Sequence, residues 1–416
     1  AGQRVLFEVD CLSLALGDFE PFYGTAFLVD ANTNARLSES FCFDFPCDSS
    51  RVNILPKAPP RSPDTIKAIF TLPSEKNLLG MNIWAVVVIE KVFQGDPEVA
   101  QTIYSRADPS DIKETTKAQR FISETTPEYL KKFSTMKQPF ACSVFEVSSE
   151  DGVLALDPAI AKSSVEEQRW RSLPLFKTPL DKADDILDVV DECKEALKKS
   201  KKIESKKMIP GIVRLRLVDA SLVPIEGNLL DVMQRPVIAP LPFSFDALST
   251  IDASQIPPPP LESAAEPVHE ISSFLRPEPI VNRTFIYPDA VKPFKDKKKL
   301  NLCVTCLMRD TDTLPMESHC LPNFMNGAGN NTSHTTSVSY HASKTATFSD
   351  EIKATLPFPI GPSHHLLFII KHIPIEQDEL ECTWFAVLPL SGRGDCLEST
   401  GDTLPGIGGH PPGDYL

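Results

Sequence analysis

Apolar positions along the chain fall mostly into short runs rich in Val, Ile and Phe, bounded by Pro, Asn, Asp and Gly. That pattern predicts strands. In the first 150 residues it marks Val5–Val9, Gly24–Val29, Ser40–Phe45, Ile83–Val92 and Phe140–Val147. Ile83–Ile89 is apolar at every position, which fits a central strand covered on both faces. The more polar Ser110–Thr135 carries scattered anchors at Ile112, Phe121, Ile122 and Leu130 and predicts a helix. Residues 1–150 therefore read as a β-rich module with one or two helices.

The period then changes. Leu180–Lys202 places Ile186, Leu187, Val189, Val190, Cys193 and Leu197 at helical spacing. Aspartates lead this segment and lysines end it, the order that suits a helix dipole. The stretch 151–208 around it reads as a helical, mobile insertion. Ile212–Val218 returns to strand alternation, and prolines recur from Pro236 to Pro279. Residues 209–280 are thus a return strand followed by a stiff connector. From 281 to 416 six strands are predicted: Arg283–Tyr287, Leu300–Met308, Thr335–His341, Phe348–Leu356, His364–Ile373 and Glu381–Leu388. Their spacing suggests an antiparallel sandwich, with Pro322–Thr332 as a flexible loop. The fold class is mainly β.

Composition narrows the function. The 416 residues include 38 prolines, which favour edges and connectors over long helices. The longest apolar run, seven residues, is far short of the roughly 20 of a spanning helix. A net charge of −14 is the wrong sign for general nucleic-acid binding. The 10 cysteines are irregularly spaced and sit mostly in apolar settings, as free thiols of a reducing compartment do. With a first residue, Ala1, that opens no leader, the expectation is a cytoplasmic piece of a longer protein.

Most motif-like features have bland readings. Cys303 and Cys306 have zinc-knuckle spacing, but on a strand they face opposite ways. His364 and His365 face apart for the same reason, and His372 lies about 27 Å along from His364 at roughly 3.3 Å per residue. Arg393-Gly394-Asp395 is a turn tripeptide, and the sequons at Asn282 and Asn330 matter only in the secretory pathway. No nucleophile elbow, metalloprotease motif or phosphate-binding glycine loop is present, so no catalytic residue, metal or cofactor is expected.

One charged cluster stands apart. Lys292, Lys295, Lys297, Lys298 and Lys299, interrupted by Asp296, fill the turn between the first two strands of the second domain. Five lysines less one aspartate give +4. At about 1 kcal/mol per cation near an anionic bilayer, that is roughly 4 kcal/mol, or about a thousandfold in partition.

Three strings in this domain carry a resemblance: RTFIYPDAV (Arg283–Val291), FSDEIKATLP (Phe348–Pro357) and SHHLLFIIKH (Ser363–His372). They resemble the first DOCK homology region, the C2-like domain of the dedicator-of-cytokinesis guanine-nucleotide exchange factors. Upstream, SLALGDF (Ser13–Phe19), LSESFCFDF (Leu37–Phe45), AVVVIEKVFQGD (Ala85–Asp96) and KQPFACSVFEV (Lys137–Val147) resemble the preceding segment of the zizimin-like branch. The resemblance implies a multidomain activator of Rho-family GTPases, with peripheral membrane recruitment through phosphoinositide headgroups and without calcium. It also implies that the loop after the first strand and the loop at His341–Thr347 flank the headgroup, which makes the five lysines and Lys344 the binding candidates. The exchange domain is not in the chain as given, and six strands against the eight of a C2-like fold suggest a sandwich cut short. The alternative reading is an interaction scaffold with homodimer contacts and no lipid binding.

Overall fold

The computed structural model describes residues 4–17, 19–45, 66–72, 78–105, 111–133, 136–157, 170–178, 189–195, 208–219, 283–292, 300–311, 321, 323–326, 329–341, 345–357, 359–374, 381–390 and 407–408. The chain divides into two compact units: residues 1–135, 139–180 and 184–274 in one, and 136–138, 181–183 and 275–416 in the other.

The first unit is built on one antiparallel sheet. In chain order its strands are β1 (Arg4–Leu14), β2 (Phe22–Asp30), β3 (Ala35–Arg36), β4 (Phe41–Phe45), β5 (Ile66–Thr71), β6 (Ile83–Val92), β7 (Lys137–Ser148), β8 (Arg171–Lys177) and β9 (Met208–Asp219). Neighbours run β3-β2-β6-β7-β8-β9-β1-β5, with β4 also paired to β2. The sheet curls until its distant strands meet. Phe7 of β1 stands edge-on to Phe41 of β4 at 6.4 Å and to Phe70 of β5 at 5.7 Å. The concave core collects alternate residues of these strands, among them Val5, Phe7, Leu28, Val87, Ile89, Phe140 and Leu215.

Two helices follow β6: α1 (Pro97–Ser105) and α2 (Ile112–Phe133). Each begins where the sequence supplies a cap. Asp96 accepts from the Glu98 amide ahead of Pro97, and Asp111 accepts from the Glu114 amide. Tyr104 of α1 and Ile122 of α2 enter the core.

β6 is buried along its whole length, as its unbroken apolar run predicts. Ile83, Ala85, Val87 and Ile89 face the concave core, whereas Trp84, Val86 and Val88 join a second cluster on the opposite side. That second cluster is closed by a short helix, α3 (residues 189–195), through Val189, Val190 and Cys193. Within the predicted helix Leu180–Lys202 the described residues 189–195 are helical, and they pack on the sheet rather than stand apart from it. They cover a sheet face that would otherwise leave nine apolar side chains in water, the larger of them each worth about 1.5–3 kcal/mol when fully buried. β8 also lies in the stretch read as an insertion. Pro174 hid it, yet Arg171–Lys177 bridges β7 and β9 with a register shift between Pro174 and Leu175.

The second unit is a C2-like antiparallel sandwich. Its strands are β10 (Arg283–Ile286), β11 (Ala290–Val291), β12 (Leu300–Arg309), β13 (Phe324–Asn326), β14 (Gly329–Asn331), β15 (Ser333–Thr335), β16 (Ser339–His341), β17 (Ala346–Thr347), β18 (Ile352–Thr355), β19 (His365–His372), β20 (Glu381–Pro389) and β21 (Ile407–Gly408). One layer holds β10-β18-β13-β14, and the other holds β15-β12-β19-β20-β21 with β16 alongside β12. Between the layers pack Cys306, Met308, Phe324, Ile352, Ala354 and Leu366, continued by Leu302, Val304, Ala346, Phe348 and Ile370. Pro322–Thr332, read as a loop, instead carries the β13–β14 hairpin, with Phe324 fully buried against β18. One buried aromatic outweighs the turn-forming composition around it.

Candidate functional site

The strand ends that flank the lysine segment and the loop containing Lys344 are brought together by two ladders. β11 pairs with β17, Val291 opposite Ala346. β12 pairs with β16, Leu300 opposite His341. Residues 292–299 leave from the first pairing and arrive at the second, while residues 342–345 join the same two pairings in reverse. Both connections therefore share both end points, although they are separated by more than 40 residues of sequence.

Lys292 is exposed immediately after β11, with no carboxylate partner among the described residues. Lys295, Lys297, Lys298, Lys299 and Lys344 lie outside the described residues, as do Asn282 and Arg393-Gly394-Asp395. What the structure fixes is the frame from which these side chains depart.

That frame is rigid where it is described. Ala346 and Phe348 anchor β17 in the core beside Leu302, Val304 and Ile370, and Val291 packs against them from β11. The Phe348 amide donates to the Asp289 carbonyl at 3.0 Å, which continues the ladder from β11·β17 toward β10·β18. β12 is pinned beyond its start by Thr336, whose hydroxyl accepts from the Val304 amide at 2.9 Å and whose own amide donates to the Val304 carbonyl. Two nearby acids are engaged. Asp350 accepts from the Ser337 amide and hydroxyl at 3.0 and 2.9 Å. Glu351 accepts from the Tyr287 hydroxyl at 2.6 Å and sits 3.8 Å from the Lys353 ammonium.

The other candidates resolve into structure. Cys303 and Cys306 are both fully buried in β12, and burial pushes the Cys303 thiol up to about 12 and Cys306 higher still. Thiols so protonated are poor metal ligands and poor nucleophiles. His364 accepts from the Gly361 amide through Nδ1, and His365 Nδ1 lies 2.8 Å from the Ser363 carbonyl, so both hold the turn into β19. Among the described residues no group of three or more His, Cys, Asp or Glu side chains converges as a metal ion needs. Among the same residues no helix is long and apolar enough to cross a membrane.

Residues 277–416 match the family model described as the C2 domain in Dock180 and Zizimin proteins. The chain is also 24% identical to dedicator of cytokinesis protein 8 of Homo sapiens and 25% identical to dedicator of cytokinesis protein 7 of Mus musculus. Each alignment covers 91% of this chain and 19% of the relative. Residues 277–416 are thus similar to a DOCK-type C2 domain, and the chain as a whole is similar to dedicator of cytokinesis proteins. It spans about a fifth of the length of those relatives, and the alignments run through both units, not the C2-like domain alone. The C2-like domain is the part that presents the two coupled connections. The sequence located the lysines, but the pairings that bind the two loops into one frame had no local signal, because they depend on partners far along the chain.

Proposed function

We propose that this segment recruits a Rho-family guanine-nucleotide exchange factor to phosphoinositide-bearing membranes. The C2-like domain would grip the headgroup between Lys292, Lys295, Lys297, Lys298 and Lys299 on one connection and Lys344 on the other. The observation that carries this reading is the shared anchoring of the two connections by Val291 opposite Ala346 and Leu300 opposite His341. Two separately tethered basic loops would have to be brought together on binding, at an entropic cost. Here their ends are already adjacent. Lysine ammonium groups suit phosphates as mobile point charges, and no metal is needed to bridge them.

Exchange activity toward a Rho-family GTPase would belong to the rest of the parent protein, with this segment fixing where it acts. The test is sedimentation with phosphatidylcholine vesicles containing a phosphatidylinositol phosphate, across a salt series. Binding is expected to weaken as salt rises, because screening shortens the reach of each charge. Changing Lys295, Lys297, Lys298 and Lys299 together to Glu turns the segment from +4 to −4 and is expected to abolish binding. Unchanged sedimentation of a folded variant would favour the interaction-scaffold reading instead.

A further inference from the structure

β10 is the end strand of its layer, bonded on one side to β18. Along this strand and its continuation exposure alternates: Phe285, Tyr287 and Asp289 are exposed, whereas Thr284, Ile286 and Pro288 are half-buried. Ile286 turns inward onto the core cluster of Cys306, Met308 and Phe324. The alternation therefore puts two large aromatic rings on the outward flank, Phe285 at 40% and Tyr287 at 48% exposure. Among the described residues they are the two exposed large apolar side chains of this unit.

Their position matters more than their exposure. The ribbon formed by β10 and β11 against β17 and β18 is continuous, bridged by the Phe348 amide and the Asp289 carbonyl, and it ends at Lys292. Phe285 is seven residues before Lys292, so it lies within about 23 Å of the lysine segment at roughly 3.3 Å per residue. A ridge of exposed aromatics leading straight into a +4 segment matches the two layers of an anionic bilayer surface, acyl boundary and headgroup. Tyr287 is itself amphipathic: its hydroxyl is held by Glu351, whose charge is countered by Lys353, while the ring stays in water.

We propose that the outward flank of β10, through Phe285 and Tyr287, is a second membrane contact that seats the ribbon in the interface of the anionic bilayer gripped by the lysines. The inference rests on the lysine reading and deepens it. The aromatic rings add depth of insertion, and the lysines add charge attraction, so the two contributions separate by their salt dependence. Asp289, exposed between them, opposes docking of this flank on an anionic surface.

The test uses the whole chain and phosphatidylcholine vesicles with and without a phosphatidylinositol phosphate. Phe285→Ala with Tyr287→Ala is expected to weaken partition about fivefold or more while leaving its salt dependence unchanged. Asp289→Lys should tighten it about tenfold or more on the anionic vesicles, and its backbone bond to Phe348 remains available. In Phe285→Trp the added emission should shift to the blue on binding and be quenched by brominated lipid tails. If the lysine-to-glutamate variant loses binding but the aromatic pair and Asp289→Lys leave partition unchanged, the flank is not a contact and the inference falls alone. If the lysine variant binds normally, the underlying reading falls and takes this one with it. Should the double alanine variant fail to fold, the Asp289→Lys result decides.

Discussion

Lys91 and Lys292 show two opposite fates of one side chain. In the first unit Lys91 is buried, with its ammonium 2.5 Å from Glu20. Glu20 in turn accepts from the Tyr104 hydroxyl and from Gln94 at 2.8 Å, and the Tyr104 ring lies 5.0 Å from the ammonium. Burial pushes the Lys91 ammonium down from its ordinary range, against the pull of Glu20. Every feature of that setting spends the charge internally. In the second unit Lys292 stands exposed where a strand ends. The difference teaches that a basic residue points to a ligand only when the fold leaves its charge unspent, which residue identity alone does not reveal.

The same contrast runs through the strand faces of the first unit. Glu8 is held between Arg216 and Lys67, the latter at 3.0 Å, and Arg216 lies over the Trp170 ring at 4.5 Å. Asp157 accepts from Arg171 at 2.7 Å and from the Leu217 amide at 2.9 Å, tying the end of the described 136–157 segment to β8 and β9. These are structural charges, spent on one another within the described part of the first unit.

The sharpest way to break the comparison is to unpair the buried charge. Glu20→Ala strands the Lys91 ammonium and is expected to cost about 3–5 kcal/mol in denaturant unfolding. Next comes Gly24→Ala. A Cβ there would fall 2.1 Å from the Phe43 ring on neighbouring β4, so the aromatic stack must shift, at about 1–3 kcal/mol by the same measurement. Lys292→Glu should change stability by less than about 0.5 kcal/mol. On the proposed reading its effect falls on vesicle binding, where reversing one charge is expected to be worth about 2 kcal/mol. A Lys292→Glu variant as unstable as Glu20→Ala would erase the distinction. Smallest in its consequence for the fold is thiol labelling near pH 8. Cys193 and Cys303, both pushed up to about 12 chiefly by burial, hold about a thousandfold less thiolate than an ordinary cysteine. Alkylation followed by peptide mapping should find them unmodified while half-buried Cys42 reacts.

How much of this was legible in the sequence follows from how local each signal is. β6 announced itself because its apolar run is unbroken, and α2 because a polar stretch carries apolar anchors at Ile112, Phe121, Ile122 and Leu130. The family likeness was legible for the same reason, in contiguous strings along the C2-like strands. β5 lies beside the proline-rich Pro56–Pro63, and β8 contains Pro174, so proline masked both as strands until pairing with β1 and β9 gave them a place. The lysine cluster was visible as composition. That its segment shares both end points with the connection carrying Lys344 was not, because Val291 meets Ala346 and Leu300 meets His341 only after the sandwich closes. The aromatic flank was hidden in the string RTFIYPDAV until exposure separated Phe285 and Tyr287 from Ile286.

The paired end points of the two lysine-bearing connections make them behave like two cables strung between the same pair of posts. Adding or deleting residues in either span changes how far apart the cations ride without disturbing a strand of the sandwich. On the proposed reading, span length alone would then set which headgroup the frame prefers, and exchanging one span would transplant that preference.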